Sequence, residues 1–146
     1  MPAKDIFHEP FVSALKKDDW TTTDDPLTFR EDTDLLSDIG AERLVGAERG
    51  AERIAVEIKS FVGKSSVQDL KEATGHFVLY AHALMRSLAN ADRILLLAVR
   101  LPIYVSLFEN GMGKILLESD TLQIVVFDAN TVEIKRWIPE NIIKQS

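Results

Sequence analysis

Residues 51–61, AERIAVEIKSF, read as a β-strand whose alternation decides the fold around it. Side chains along a strand point in turn to its two faces. Ile54, Val56 and Ile58 therefore share one face, while Ala55, Glu57 and Lys59 share the other. Upstream, residues 35–45 (LLSDIGAERLV) read as a preceding strand, with Gly46 to Gly50 as the hairpin turn between the two. A hairpin of that length returns the chain past Asp38, so the expectation is that Asp38, Glu57 and Lys59 stand together.

Downstream, Ser65 to Leu88 carries Val67, Leu70, Thr74, Phe77, Ala81, Leu84 and Leu88 as one mainly apolar helical stripe. Ser65 with Gln68 three residues on forms a capping box at its start. Residues 92–99 (DRILLLAV) are almost continuously apolar, the pattern of a central strand covered on both faces. Pro102 suits the first turn of a helix through Phe108, Gly111 and Gly113 punctuate the chain, and Leu122–Phe127 and Thr131–Trp137 read as closing strands joined around Asp128 and Asn130. Before the hairpin, Phe7, Phe11, Ala14 and Leu15 recur at helical spacing. That helix starts near Glu9 or bends at Pro10 and ends close to Asp18, and Trp20–Thr23 follow as a short strand halted by Asp24, Asp25 and Pro26. Hairpins combined with one helix-linked crossover imply an α/β fold with a mixed sheet flanked by helices, rather than a doubly wound parallel one.

At 146 residues and 46% hydrophobic content the chain is sized for one domain, residues 1–146, with a genuine core. It has no cysteine, so any metal is held by oxygen or imidazole. The N-terminus MPAKDIFHEP lacks a basic region followed by an apolar run, and no stretch reaches the roughly 18 apolar residues of a membrane span, so a cytoplasmic protein with no membrane contact is expected. Net charge is −6 with a pI near 5.1, the wrong sign for gripping a phosphate backbone by bulk charge. DNA contact then needs a partner protein, or a homodimer that gathers basic residues locally, and the edge strands from Leu122 onward offer a surface for pairing.

The chemistry resides in Asp38, Glu57 and Lys59. Mg²⁺ takes oxygen ligands and keeps several waters, so one or two carboxylates can hold it against a substrate phosphate. A nearby lysine can orient the attacking water or stabilise the developing charge. Glu-x-Lys alone is more often an ordinary wet strand face, and Asp38 is what favours the catalytic alternative. His76 and Tyr80, four apart, share one flank of the long helix beside its apolar stripe. His8 and His82 have no metal-ligand spacing. Arg30, Arg43, Arg49 and Arg53 adjoin Glu31, Glu42, Glu48 and Glu52, which reads as a charge-balanced surface. Phosphate-loop, dinucleotide-binding and nucleophile-elbow motifs are all absent.

Asp38, then Glu57-Ile58-Lys59 on the next strand, then a long helix, resembles the PD-(D/E)XK nuclease superfamily of restriction endonucleases and Holliday-junction resolvases. MPAKDIFHEP, the DDPLT segment, AVEIKSF, GHFVLY and KRWIP are similar, over nearly the whole chain, to the fdxN-element excision controlling factor family, XisH, of cyanobacteria. This resemblance implies a restriction-endonuclease-like fold and an accessory role, with DNA and a partner of the excision machinery, in the programmed removal of a genomic element. Under the superfamily pattern, Asp38 and Glu57 are ligands of Mg²⁺ or Mn²⁺, the Ile58 carbonyl is a further ligand, and Lys59 is the catalytic lysine. Glu9 would be the additional acid that some members place on the first helix. His76 and Tyr80 look like the supporting Q-x-x-x-Y element of RecB-type nucleases, with histidine in place of glutamine. The alternative is an inactive nuclease-fold scaffold acting through protein contacts, in which Asp38, Glu57 and Lys59 form only an internal ion pair.

Overall fold

The structure, a computed structural model, describes residues 5–27 and 44–143. Helix α1 (His8–Lys17) carries Pro10 in its first turn, where backbone donors have no intrahelical acceptor to lose. It leads into β1 (Thr21–Asp24), and after residues 28–43 the chain continues as β2 (Leu44–Arg49) and β3 (Glu52–Ile58). Helix α2 (Ser66–Arg86) is capped as the sequence implies, Gln68 N–H donating to Ser65 Oγ at 3.2 Å. Strand β4 (Ile94–Arg100) runs straight into α3 (Leu101–Ile103), which widens into a π-helical stretch, Tyr104–Phe108. Helix α4 (Met112–Glu118), β5 (Ile124–Asp128) and β6 (Glu133–Ile138) complete the chain.

The six strands form one mixed sheet in the order β1-β2-β3-β4-β5-β6. β4 runs parallel to both β3 and β5, and the remaining neighbours are antiparallel. Alternation splits the core into two layers. Leu44, Ala55, Leu97 and Val99 meet Leu70, Phe77, Tyr80 and Leu84 of α2 on one face, while Val45, Ile54, Val56 and Phe127 meet Phe11 and Leu15 of α1 on the other. The α/β architecture read from the sequence is the one observed.

Several local expectations change. Gly46 lies inside β2, and the turn is made at Gly50, whose φ of 60° glycine adopts without steric cost. Gly46 is small for another reason: a Cβ there would come within 3.0 Å of Arg93 Nη1 and 3.1 Å of Asp24 Oδ2. Residues 35–43 of the expected preceding strand lie outside the described residues. Among the described residues there are two helix-linked crossovers, not one, because α3 and α4 carry the chain from β4 to a parallel β5. Gly111 and Gly113 mark the start of α4 rather than a break; a Cβ at Gly113 would sit 2.5 Å from the Phe108 ring. Along α2, Val67 and Leu88 of the expected stripe are exposed, and Ala73, Tyr80 and Ala83 are buried instead.

Arg93 fastens the sheet to the turn after α2. Its guanidinium donates to Ile54 O (3.0 Å), Asn90 Oδ1 (2.8 Å) and Asp24 Oδ2 (3.1 Å), and Asn90 in turn donates to Ser87 Oγ. Burial, and after it the nearby Arg53 charge, lower its proton affinity, while Asp24 restores part of it. Arg49 pairs with Asp18, and Arg53 with Glu48 and Asp92, so the arginines described near the hairpin are charge-balanced as expected.

The β5–β6 turn holds Val132 at φ 57°. A β-branched residue in the left-handed region costs about 1–2 kcal/mol, whereas asparagine tolerates it. Val132→Asn is expected to raise the unfolding free energy by about 1 kcal/mol in a urea titration, since Asp128 Oδ1 already accepts the Asn130 and Thr131 amides that shape the turn. A loss of stability would mean that the packing of the half-buried valine outweighs its backbone strain.

Candidate functional site

Glu57 is the next-to-last residue of β3 and lies on the α2 face of the sheet, because it alternates with Ala55. Its ladder partners are Leu44 on β2 and Leu97 on β4, both fully buried. The carboxyl group therefore stands between apolar neighbours, and the residue is only 3% exposed. One oxygen, Oε1, is 3.5 Å from His76 Nδ1 on α2; the other, Oε2, is buried with no hydrogen-bond partner among the described residues. A buried carboxyl oxygen without a partner is costly, and native folds retain such groups at few positions.

Lys59 follows on the same face just past the end of β3, its backbone N–H extending the parallel ladder to Ala98 O (3.2 Å). Its ammonium group donates to Glu72 Oε1 at 3.2 Å. Glu72, His76 and Tyr80 are one helical turn apart and form a column on α2 above β3. The sequence reading did not single out Glu72; its four-residue spacing before His76 was the available signal. Tyr80 is not beside the apolar stripe but within it: it is fully buried in the α2-side core, its ring centroid 6.1 Å from that of His76. The stripe is rotated because α2 faces the sheet through Leu70, Ala73, Phe77 and Leu84, and Tyr80 lies between Phe77 and Leu84 on that side.

Ile58 turns its side chain to the opposite, α1-side core, at the last position of β3. Glu9 is exposed in the first turn of α1, the helix that covers that opposite face. Asp38 lies outside the described residues; the residue that the ladder pairs with Glu57 is Leu44. His8 is buried and bonded through Nε2 to Asp25 Oδ2 at 2.7 Å, and His82 is exposed, so both are placed as structural or surface residues. Two clefts, one lined by Lys17, Asp18 and Glu133 and one by Lys135, Arg136 and Glu140, lie at the β6 edge, well removed from Glu57.

The buried acid and the lysine thus stand at the carboxyl end of β3, where it runs parallel to β4, the end at which open α/β sheets receive ligands. Residues 1–135 match the family described as XisH protein. The chain belongs to the XisH family. A solved XisH family protein from Nostoc punctiforme is 33% identical, with a TM-score of 0.78 over 92% of this chain and 99% of that one. An fdxN element excision controlling factor protein from Anabaena variabilis is 35% identical, again with a TM-score of 0.78 and the same coverage. No curated protein is significantly similar to the chain.

The donors around Glu57 in this XisH family member meet part of what a divalent cation requires. The unpartnered Glu57 Oε2 and the imidazole beside Oε1 suit one, and Lys59, tied to Glu72, leaves that oxygen open. Among the described residues no group of three or more acidic or histidine side chains gathers as a metal site. Glu57 and His76 are therefore the part of a donor set that the described residues supply. Among the same residues no helix is long and apolar enough to cross a membrane.

Proposed function

We propose that the chain is an accessory factor in the programmed excision or rearrangement of a DNA element, with a PD-(D/E)XK-type site for metal-dependent phosphodiester hydrolysis. The observation that carries this reading is the buried Glu57 carboxyl, one oxygen unpartnered, with Lys59 next to it on the same strand face. Kinship with an fdxN element excision controlling factor protein supplies the biological setting. In this reading Glu57 and Asp38, with the Ile58 carbonyl, hold Mg²⁺ or Mn²⁺. The ion when bound would lower the pKa of its water and offset charge on the attacked phosphate.

Lys59 places a positive charge where charge develops on the phosphate, and Glu72 keeps its flexible side chain pointed along the face that Glu57 occupies. His76 and Tyr80 brace Glu57 from α2. Glu9 is the additional acid that the resemblance implies, and it would have to reach the site from α1, which covers the opposite face of the sheet. The apolar neighbours Leu44 and Leu97 keep water from surrounding the carboxyl, so that its interaction with a cation is strong. With a net charge of −6, the chain needs a partner protein of the excision machinery, or a second copy, to assemble a DNA-binding surface.

The test is a nicking assay on supercoiled and branched DNA with Mg²⁺ or Mn²⁺. Wild type is expected to cut only with metal, and Glu57→Gln and Lys59→Met to lose cutting while keeping their circular dichroism. Equal residual cutting by wild type and both variants would assign the activity to a contaminant. The absence of any cutting, with or without a partner fraction, would favour a second reading in which the fold is a scaffold for protein contacts. The Lys59–Glu72 ion pair, which occupies the lysine, is the observation on that side.

A further inference from the structure

We infer that His76 is itself a metal ligand, and that the Glu57–His76 pair selects an imidazole-accepting divalent transition metal such as Zn²⁺ over Mg²⁺. The inference rests on the reading of Glu57 as a metal ligand and goes beyond it in naming the nitrogen donor and the class of ion. Three observations carry it. Glu57 Oε2 is buried and has no hydrogen-bond partner among the described residues, which is costly for a carboxyl kept only for packing. His76 presents Nδ1 to the same carboxyl at 3.5 Å, from a helix position that packs over β3. Lys59, the cation on the same strand face, is engaged by Glu72 rather than by Glu57 among the described residues.

The spacing suits one shared ion. Two donors each about 2.1 Å from one ion are roughly 3.0 Å apart at the right angle of an octahedron and about 3.4 Å apart at a tetrahedral angle. The 3.5 Å between Oε1 and Nδ1 is of that order, so a small shift of either side chain lets both atoms reach one ion. Donor chemistry chooses among ions. Imidazole nitrogen suits zinc and its transition-metal neighbours, whereas Mg²⁺ takes oxygen and water. Tyr80, fully buried one turn further on and in ring contact with His76, restricts the imidazole to the face it now presents.

The experiment uses the full-length chain labelled with ¹⁵N-histidine. The chain has three histidines, His8, His76 and His82, and the His76 signals are identified from the His76→Gln variant. Adding Zn²⁺ is expected to move the His76 Nδ1 resonance, while Mg²⁺ leaves it in place. Calorimetric titration is expected to show Zn²⁺ binding more tightly than Mg²⁺, with the preference falling about tenfold or more in His76→Gln. Glu57→Gln should lose both ions. Movement of the His82 signal alone, or of none, with Mg²⁺ and Zn²⁺ both still binding through Glu57, would overturn the His76 assignment and leave the Glu57 site standing. If neither ion binds wild type, the Glu57 site and this inference fall together.

Discussion

Arg93→Ala is expected to lower the unfolding free energy by about 3 kcal/mol, the scale on which breaking a buried charged network destabilises a fold. For a chain of this size that corresponds to a fall of roughly 6–12 °C in melting temperature. The side chain is nearly inaccessible and satisfies acceptors on three separate elements: Ile54 O within β3, Asp24 at the end of β1, and Asn90 in the turn before β4. Truncation leaves a backbone carbonyl and an amide oxygen buried without donors and opens a void against Gly46. Asp24 is exposed enough to regain water, so it adds little to the loss. Arg93→Met, which keeps most of the volume, should recover a minority of the stability if the hydrogen bonds dominate and most of it if packing does. A change below about 1 kcal/mol in Arg93→Ala would show that water enters and replaces the guanidinium.

Glu57→Met is expected to change stability in the opposite direction. In metal-free buffer, replacing a buried carboxyl between Leu44 and Leu97 by an apolar side chain of similar length should stabilise the fold by about 1–2 kcal/mol. Sites kept for function carry such a cost, and removing it gains stability at the expense of activity. Mn²⁺ or Zn²⁺ should then raise the melting temperature of wild type, which binds the ion only when folded, and leave the variant unchanged. If Glu57 is instead an internal ion-pair member serving a scaffold, Glu57→Met strips His76 of its partner and melts lower than wild type. The sign of one thermal shift therefore separates a cation site from a structural ion pair.

The strand alternation in AVEIK was enough to place Glu57 and Lys59 on one face, and the Ser65–Gln68 spacing was enough to start α2 at the correct residue. Both are local rules of geometry. What the sequence did not show depended on distant residues. Gly46 looks like a turn because glycine is commonest there, yet its smallness serves Arg93, far along the chain. Gly113 was misread for the same reason, with Phe108 as the neighbour that needs the space. Tyr80 was set beside the stripe because it stands four residues from His76 on one flank of the helix, but the sheet buries it whole. Glu72 escaped notice because an exposed glutamate on a helix is ordinary until a lysine from another element is seen to meet it.

The sheet order β1 to β6 repeats the order of the chain. A nascent polypeptide leaving the ribosome can therefore add each strand to the one made just before it, with no gap held open for a later segment. The sheet thus grows by adding neighbours, while the layer that α1 supplies closes late: α1 packs against β6, with Lys17 Nζ donating to Thr131 O, and that closure waits for the last strand. The hazard is the reverse of the benefit. Until β6 docks, whichever strand is last carries a bare hydrogen-bonding edge, and β4 and β5, apolar except for their last residues Arg100 and Asp128, are the stages at which a stalled chain would be most prone to aggregate.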